Sequence, residues 1–250
     1  MSKIEFSIVD TYINSVPHPC PAKKMVPKWY KSMSQFVKDD IKFASFFDYE
    51  KMKQEMNLTM KACIPIRDSL TSGYIIPFAF DLRASRGTIK TEEFEVEDKL
   101  SFHWNSNIGP KVIDFHPVDQ VKGSPLEKDS KDDGGVHKFN SLWRIKTDPG
   151  YSCMFYTPPY HNLPFEILPG IVDTDGMHEI NFPFIWKSKE KEILLKQGLP
   201  MVLVFPFKRE HFKHTVKSHT QKEEKNSQQH MFNVLAHWYR DVAHKKKRFD

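Results

Sequence analysis

Two aspartates, Asp173 and Asp175, stand two residues apart in the stretch "GIVDTDG" (170–176), with a glycine at either end. Carboxylates at that spacing can work as a general base and its supporter, drawing a proton from water, or can share a divalent cation. The same pair can serve only a sharp turn, because Asp side chains readily accept hydrogen bonds from nearby backbone N–H groups. Both readings are open from the residues alone.

Other side chains offer different chemistry. His103, His116, His137 and His161, with Asp114, carry ligand types for an open metal site on adjacent strands. "FHWN" and "DFHP" lack the i, i+2 histidine pair that would sharpen this, so ordinary hydrogen-bonded histidine is the expectation. Cys63 and Cys153 could be nucleophiles, yet both lie in apolar runs where a thiol is usually an inert small hydrophobe. Arg67 and Asp68 are charged residues between apolar runs, suited either to a mutual pair or to a ligand. A binding site would draw on Arg67, Asp68, Tyr74, Tyr151, His161 and Asn162, the polar and aromatic side chains of "KACIPIRDSLTSGY", "KTDPGYS" and "PPYHNLPF".

The elements that must position these groups are mostly strands. Among 250 residues, 17 prolines against 10 glycines imply short segments separated by turns. "KIEFSIVDTYI" alternates as a strand does. Residues 17–33 are too proline-rich for regular structure, with Trp29 and Tyr30 as anchors, and 43–57 suits a short helix. Residues 58–84 read as β runs broken at Pro65, Gly73 and Pro77. Strands are expected in 88–116 and on both sides of the Asp-Pro-Gly turn in 139–159. Residues 118–138, rich in Gly, Ser, Asp and Lys, read as a long surface loop. In 226–244, Met231, Val234, Leu235, Trp238 and Val242 recur at helical spacing, and a basic tail follows. The organisation expected is one β-rich domain over 1–220, followed by an amphipathic helix and basic tail over 221–250.

Composition narrows the class. Hydrophobic residues at 39% with 28% charged fit a globular protein with a sizeable core, to which 20 Phe contribute heavily. A net charge of +5 is mild and concentrated near the end, so nucleic acid is a conceivable partner but not the favoured one. No run approaches the ~20 apolar residues of a membrane span. Three cysteines without a CxxC pair suit an intracellular protein.

Residues 149–207 resemble the core of the dUTPase and dCTP deaminase (β-clip) family. There a strand with a Pro-rich end leads into a G-[IV]-[IV]-D-x-D turn and two further strands. Gly170, Ile171, Val172, Asp173 and Asp175 match that turn, Gly198, Pro200, Met201, Leu203 and Phe205 match the last strand, and Ser72, Gly73 and Tyr74 resemble the family's "SAGYDL" turn. The resemblance implies a β-clip or jelly-roll-like sandwich and trimeric assembly. It would make Asp173 the residue that orients and deprotonates water, with Mg²⁺ on the phosphates. Gly176 replaces the family's aromatic, and "PPYHNLPF" replaces its phosphate motif. The chain as a whole resembles an uncharacterised family of large marine tailed phages, through "PAKKMVPKWY", "KACIPIRDSLTSGY", "KTDPGYS" and "GIVDTD".

These features together lead to the expectation of a mainly β, non-catalytic phage-type binding or assembly protein. It would act without a cofactor, in the cytoplasm of an infected bacterium or in the virion. It would self-associate and meet a protein partner through its C-terminal helix, with no membrane contact. A nucleotide-hydrolysing enzyme or sensor using Asp173 and Mg²⁺ is the first alternative. A cupin-like metal-binding protein is the second.

Overall fold

The computed structural model describes residues 2–35, 59–90, 95–105, 110–133, 135–225 and 243–250. The protein is mainly β: among the described residues, fourteen strands form four antiparallel sheets. In chain order these are β1 (Ile4–Ser7), β2 (Cys20–Pro21), β3 (Tyr74–Pro77), β4 (Leu82–Lys90), β5 (Glu95–His103), β6 (Ile113–His116) and β7 (Val136–Asn140). They continue as β8 (Arg144–Thr147), β9 (Tyr151–Tyr156), β10 (Phe165–Ile167), β11 (Gly170–Val172), β12 (Asn181–Trp186), β13 (Glu192–Leu195) and β14 (Pro200–Lys208). The five-stranded sheet has the order β11-β9-β14-β3-β2, and the four-stranded sheet β10-β12-β7-β6. β13-β4-β5 and β1-β8 make two smaller ones.

Sequence pattern explains each strand's place. β12 buries Phe182, Phe184 and Trp186 at every second position, the period of a strand with one covered face. β14 is buried without interruption from Pro200 to Val204, as befits a strand in mid-sheet with cover on both sides. Val202 and Val204 enter the main core, while Leu203 packs with Ala22 and Ile75 on the opposite face. The main core is aromatic: Phe139 stacks on Phe184 at 3.9 Å, and Phe165 meets Phe139 edge-on at 5.0 Å. Phe155 of the five-stranded sheet meets Phe182 of the four-stranded sheet at 5.3 Å, so the two sheets share this core. Each such ring contributes about 1.5–3 kcal/mol by leaving water.

Three segments differ from the expectation. Residues 17–33, expected to lack regular structure, carry β2, a 3-10 turn (Ala22–Met25) and a short helix (Lys28–Ser32). Residues 58–84 are not strands throughout: Ile64–Thr71 is a helix. Pro65 lies in its first turn, where a missing N–H costs no hydrogen bond. Residues 118–138 carry a 3-10 turn (Val118–Val121), a helix (Leu126–Asp133) and the start of β7. The last helical residue, Asp133, is buried because its carboxylate meets the Arg86 guanidinium at 2.8 Å. Expected strands appear at β1, in the β4–β5 hairpin, and on both sides of the Asp-Pro-Gly turn. β8 and β9 do not pair with each other, however; the turn carries the chain from one sheet to another. Gly73 enters β3 with φ +83°, and a Cβ there would lie 2.5 Å from the Val204 carbonyl oxygen. Only glycine accepts both conditions.

The chain divides into two compact units, Met1–Lys31 with Leu70–Arg209, and Ser32–Ser69 with Glu210–Asp250. All the strands belong to the first. In the second, Thr59 caps a 3-10 turn (Met60–Ala62) by accepting from the Lys61 N–H and donates its hydroxyl to the Ser34 carbonyl at 2.5 Å. The expected helix at 43–57 lies outside the described residues, as do 226–242 of the expected C-terminal one. Among the described residues no helix is long and apolar enough to cross a membrane.

Candidate functional site

Strand pairing brings three distant points of the chain together. β9 pairs with β11 on one side, with Cys153 opposite Val172, and with β14 on the other, with Tyr151 opposite Lys208. The start of β9 therefore lies between the turn that follows β11 and the end of β14. Asp173 and Asp175 arrive from the first, Arg209 from the second, and Gly150, Tyr151 and Ser152 from β9 and its turn.

In that turn the side chains alternate in direction. Thr174 points inward and is fully buried, its hydroxyl 2.8 Å from that of Thr147 and donating to the Cys153 thiol at 3.3 Å. The aspartates point the other way. Asp173 Oδ1 accepts the Ser152 hydroxyl at 2.6 Å and lies 3.1 Å from Arg209 Nη1. Asp175 takes both ends of the Arg209 guanidinium, Nη1 to Oδ1 at 3.0 Å and Nη2 to Oδ2, and its Oδ2 also accepts the Gly150 N–H at 2.8 Å. Arg209 Nη1 reaches the Tyr151 carbonyl as well, at 3.0 Å. The N–H groups of Gly176 and Met177 close the turn on the Asp173 carbonyl.

This geometry decides what the carboxylates can do. The Arg209 fork, then the Gly150 N–H, hold the Asp175 carboxyl down at about 2. A general base works best with a pKa near the operating pH, so Asp175 is a poor one. Asp173 has one oxygen committed to Ser152 and Arg209 although its side chain is 68% exposed. A phosphate would seek a guanidinium fork, and this guanidinium is already engaged by carboxylates.

The remaining candidates do not gather here, apart from Tyr151. Its hydroxyl lies 2.5 Å from Ser2 Oγ and its carbonyl serves Arg209. Tyr74 sits on β3 with its ring edge-on to Phe6 at 5.5 Å. Arg67 and Asp68 belong to the second unit, where Asp68 accepts His244 Nε2 at 2.9 Å and Lys247 Nζ at 2.6 Å. Burial opposes the Asp68 charge, but those two hydrogen bonds outweigh it and hold its pKa below the ordinary value.

The histidines are scattered among separate neighbours. His116 Nδ1 is 2.6 Å from Gln120 Oε1, and His103 Nε2 is 3.3 Å from Ser101 Oγ. His137 packs against the ring of Phe102 at 5.0 Å, and burial lowers its pKa to about 4. Asp114 pairs with Lys111 and Lys138. Among the described residues no group of three or more His, Cys, Asp or Glu side chains is arranged to hold a metal ion. The Cys153 thiol is pushed by burial up to about 11, far from the thiolate a nucleophile needs.

His161 and Asn162 lie in the loop between β9 and β10, where Tyr160 and Asn162 both adopt left-handed backbone conformations, φ 61° and 50°. Burial lowers the His161 pKa. The Trp29 indole N–H donates to the Tyr160 carbonyl at 2.9 Å. Asn162, with Pro164, Lys187, Ser188 and Glu190, borders an open groove of about 410 Å³.

No protein-family model matches this chain, and no curated protein matches its sequence. The geometry therefore carries the functional reading. Sequence reasoning missed Arg209, Ser152 and Thr174 as partners of the aspartates. Arg209 directly follows the apolar run of β14, but only the pairing of β14 with β9 reveals where that arginine must fall.

Proposed function

We propose that this chain is a non-catalytic binding or assembly protein of phage type, built on a β-clip or jelly-roll-like sandwich. One observation carries the proposal: Arg209 and the Gly150 N–H occupy both oxygens of Asp175, and Arg209 and Ser152 take one oxygen of Asp173, so the "GIVDTDG" turn is spent largely on holding the fold. The resemblance to dUTPase-like proteins supports a shared strand skeleton. The same turn, in this chain, lacks a guanidinium open to phosphate and carries Gly176 where that family has an aromatic. Resemblance to the tailed-phage family supports a place in the infected cell or the virion, and the dUTPase-like resemblance supports self-association as a trimer.

A thermal-shift series with dUTP and dCTP, with and without Mg²⁺, tests this. A ligand that binds the folded state at a hundred times its Kd stabilises it by about 2.7 kcal/mol, a clear rise in Tm. The expected result is no rise at millimolar nucleotide. A Mg²⁺-dependent rise that disappears in Asp173→Asn would overturn the proposal and establish the nucleotide alternative. Light scattering is expected to give three copies per particle; a strict monomer would remove the trimer.

A further inference from the structure

We infer that residues 211–218 are a processing site, at which a trypsin-like endopeptidase cuts the folded chain after Lys213 or Lys217. The inference goes beyond the binding-protein reading above and does not depend on it. Every residue from 208 to 225 is exposed, and 209–220 adopt no regular structure. Phe212 and Val216 stand 83% and 92% exposed, the highest values among the described large apolar side chains. The stretch has a firm beginning and a firm end. The Arg209 N–H donates to the Gly150 carbonyl at 2.9 Å, and its guanidinium holds Asp175. At the other end Thr220 caps the helical turn 221–225. Its N–H donates to Glu223 Oε2 at 2.6 Å, and its hydroxyl oxygen accepts the Glu223 N–H at 3.3 Å. Between these anchors, 211–218 make no hydrogen bond, ion pair or ring contact among the described residues.

Peptidases take their substrates in extended form, pairing main-chain groups much as an added strand does. A strand inside a sheet must open before it can offer those groups, whereas 211–218 offer them in the folded chain. The sequence selects the class of peptidase. Phe212-Lys213 and Val216-Lys217 each place an apolar side chain before an exposed lysine, four residues apart, so one specificity reads both bonds. Lys222 and Lys225 are exposed as well, but they lie in the capped turn 221–225. Water is the co-reactant. Its oxygen adds to the lysine carbonyl carbon and the C–N bond breaks. The lysine keeps a carboxylate, and the nitrogen of His214 or Ser218 leaves as an amine that takes up the proton. The piece that ends at Asp250 is not thereby released. It belongs to the compact unit of Ser32–Ser69 with Glu210–Asp250, in which Asp68 holds His244 and Lys247 at 2.9 and 2.6 Å.

The test is digestion of the full chain with a trace of trypsin, followed by intact-mass spectrometry and gel filtration. Cuts after Lys213 and Lys217 are expected at least about a thousandfold faster than cuts within the strands, which wait for unfolding. The two pieces should elute together in the absence of denaturant and separate in urea. Lys213→Gln/Lys217→Gln should remove both products and leave the lifetime of the strands unchanged. His214→Pro/Ser218→Pro should do the same with both lysines kept, because a proline after the lysine has no N–H and a fixed φ. Cuts after Lys138 or Lys146, inside β7 and β8, at the same rate as those in 211–218 would overturn the site. So would survival of 211–218 once the strands have been digested. Elution of the C-terminal piece by itself would overturn its retention.

Discussion

Arg209 grips Asp175 by both carboxylate oxygens across a separation of 34 residues, and the Gly150 N–H completes the shell. The ionised carboxylate is the form this shell holds. Its folded-state pKa is depressed, to about 2. The stability it contributes is complete above the ordinary value of 3.8 and is lost as the pH falls toward 2. NMR titration of the Asp175 carboxyl is expected to show this low value in the wild type and a return toward 3.8 in Arg209→Gln. Arg209→Lys should also raise it, since an ammonium cannot reproduce the two-pronged contact.

A second ion pair is far less exposed. Arg86 and Asp133 meet at 2.8 Å with side chains 3% and 9% exposed, and Arg86 also donates to the Asp98 carbonyl at 3.1 Å. Arg86→Met strands a buried carboxylate and should cost about 3–5 kcal/mol in urea unfolding. Arg86→Met/Asp133→Leu should recover much of that loss, because the pair's two buried charges are then removed together and Asp98, which also meets Arg86, is exposed to water.

His137 makes stability fall on mild acidification. Its folded pKa of about 4 lies below the ordinary 6.5 because burial disfavours the imidazolium, with Lys99 adding repulsion. Between those values the unfolded chain binds the proton and the folded chain does not. Stability is therefore full above 6.5 and declines as the pH falls to 4, by up to about 3 kcal/mol. His137→Phe, which keeps a ring against Phe102 and Phe184, should flatten this part of the pH profile.

Behind the aspartates, the Thr174 hydroxyl joins Thr147 to Cys153 in a fully buried group. Thr174→Val should cost about 1–2 kcal/mol by leaving a hydroxyl short of a partner. Mass spectrometry after brief alkylation in mildly alkaline solution should find Cys153 unmodified in the folded protein and labelled in denaturant. Labelling of Cys153 without unfolding would contradict its buried, high-pKa state.

Local pattern made much of the strand content legible. The alternation of β12, the unbroken apolar run of β14 and the Asp-Pro-Gly turn each state their own structure within a few residues. The Asp173–Asp175 turn was legible as a turn. Its partner was not, because Arg209 reaches it through the pairing of β9 with β14, a relation between strands that neither sequence contains. Ile64–Thr71 was misread for a related reason: Pro65 breaks a strand but is harmless in the first turn of a helix. Asp133 looked like loop polarity, and only Arg86 explains why a carboxylate there is buried. Of the two expected anchors, Tyr30 supplies a buried ring, whereas Trp29 stays exposed and meets Tyr160, a partner that only the fold reveals.

The placement of Arg209 also orders events during synthesis. Until the ribosome has made residue 209, the strand core around β11 can form but its turn carries two carboxylates with no counterion. A nascent chain that has not yet delivered β14 leaves β9 with an unpaired edge beside that turn, the kind of intermediate that pairs wrongly with its neighbours. Delivery of β14, with a single arginine following its end, fastens it.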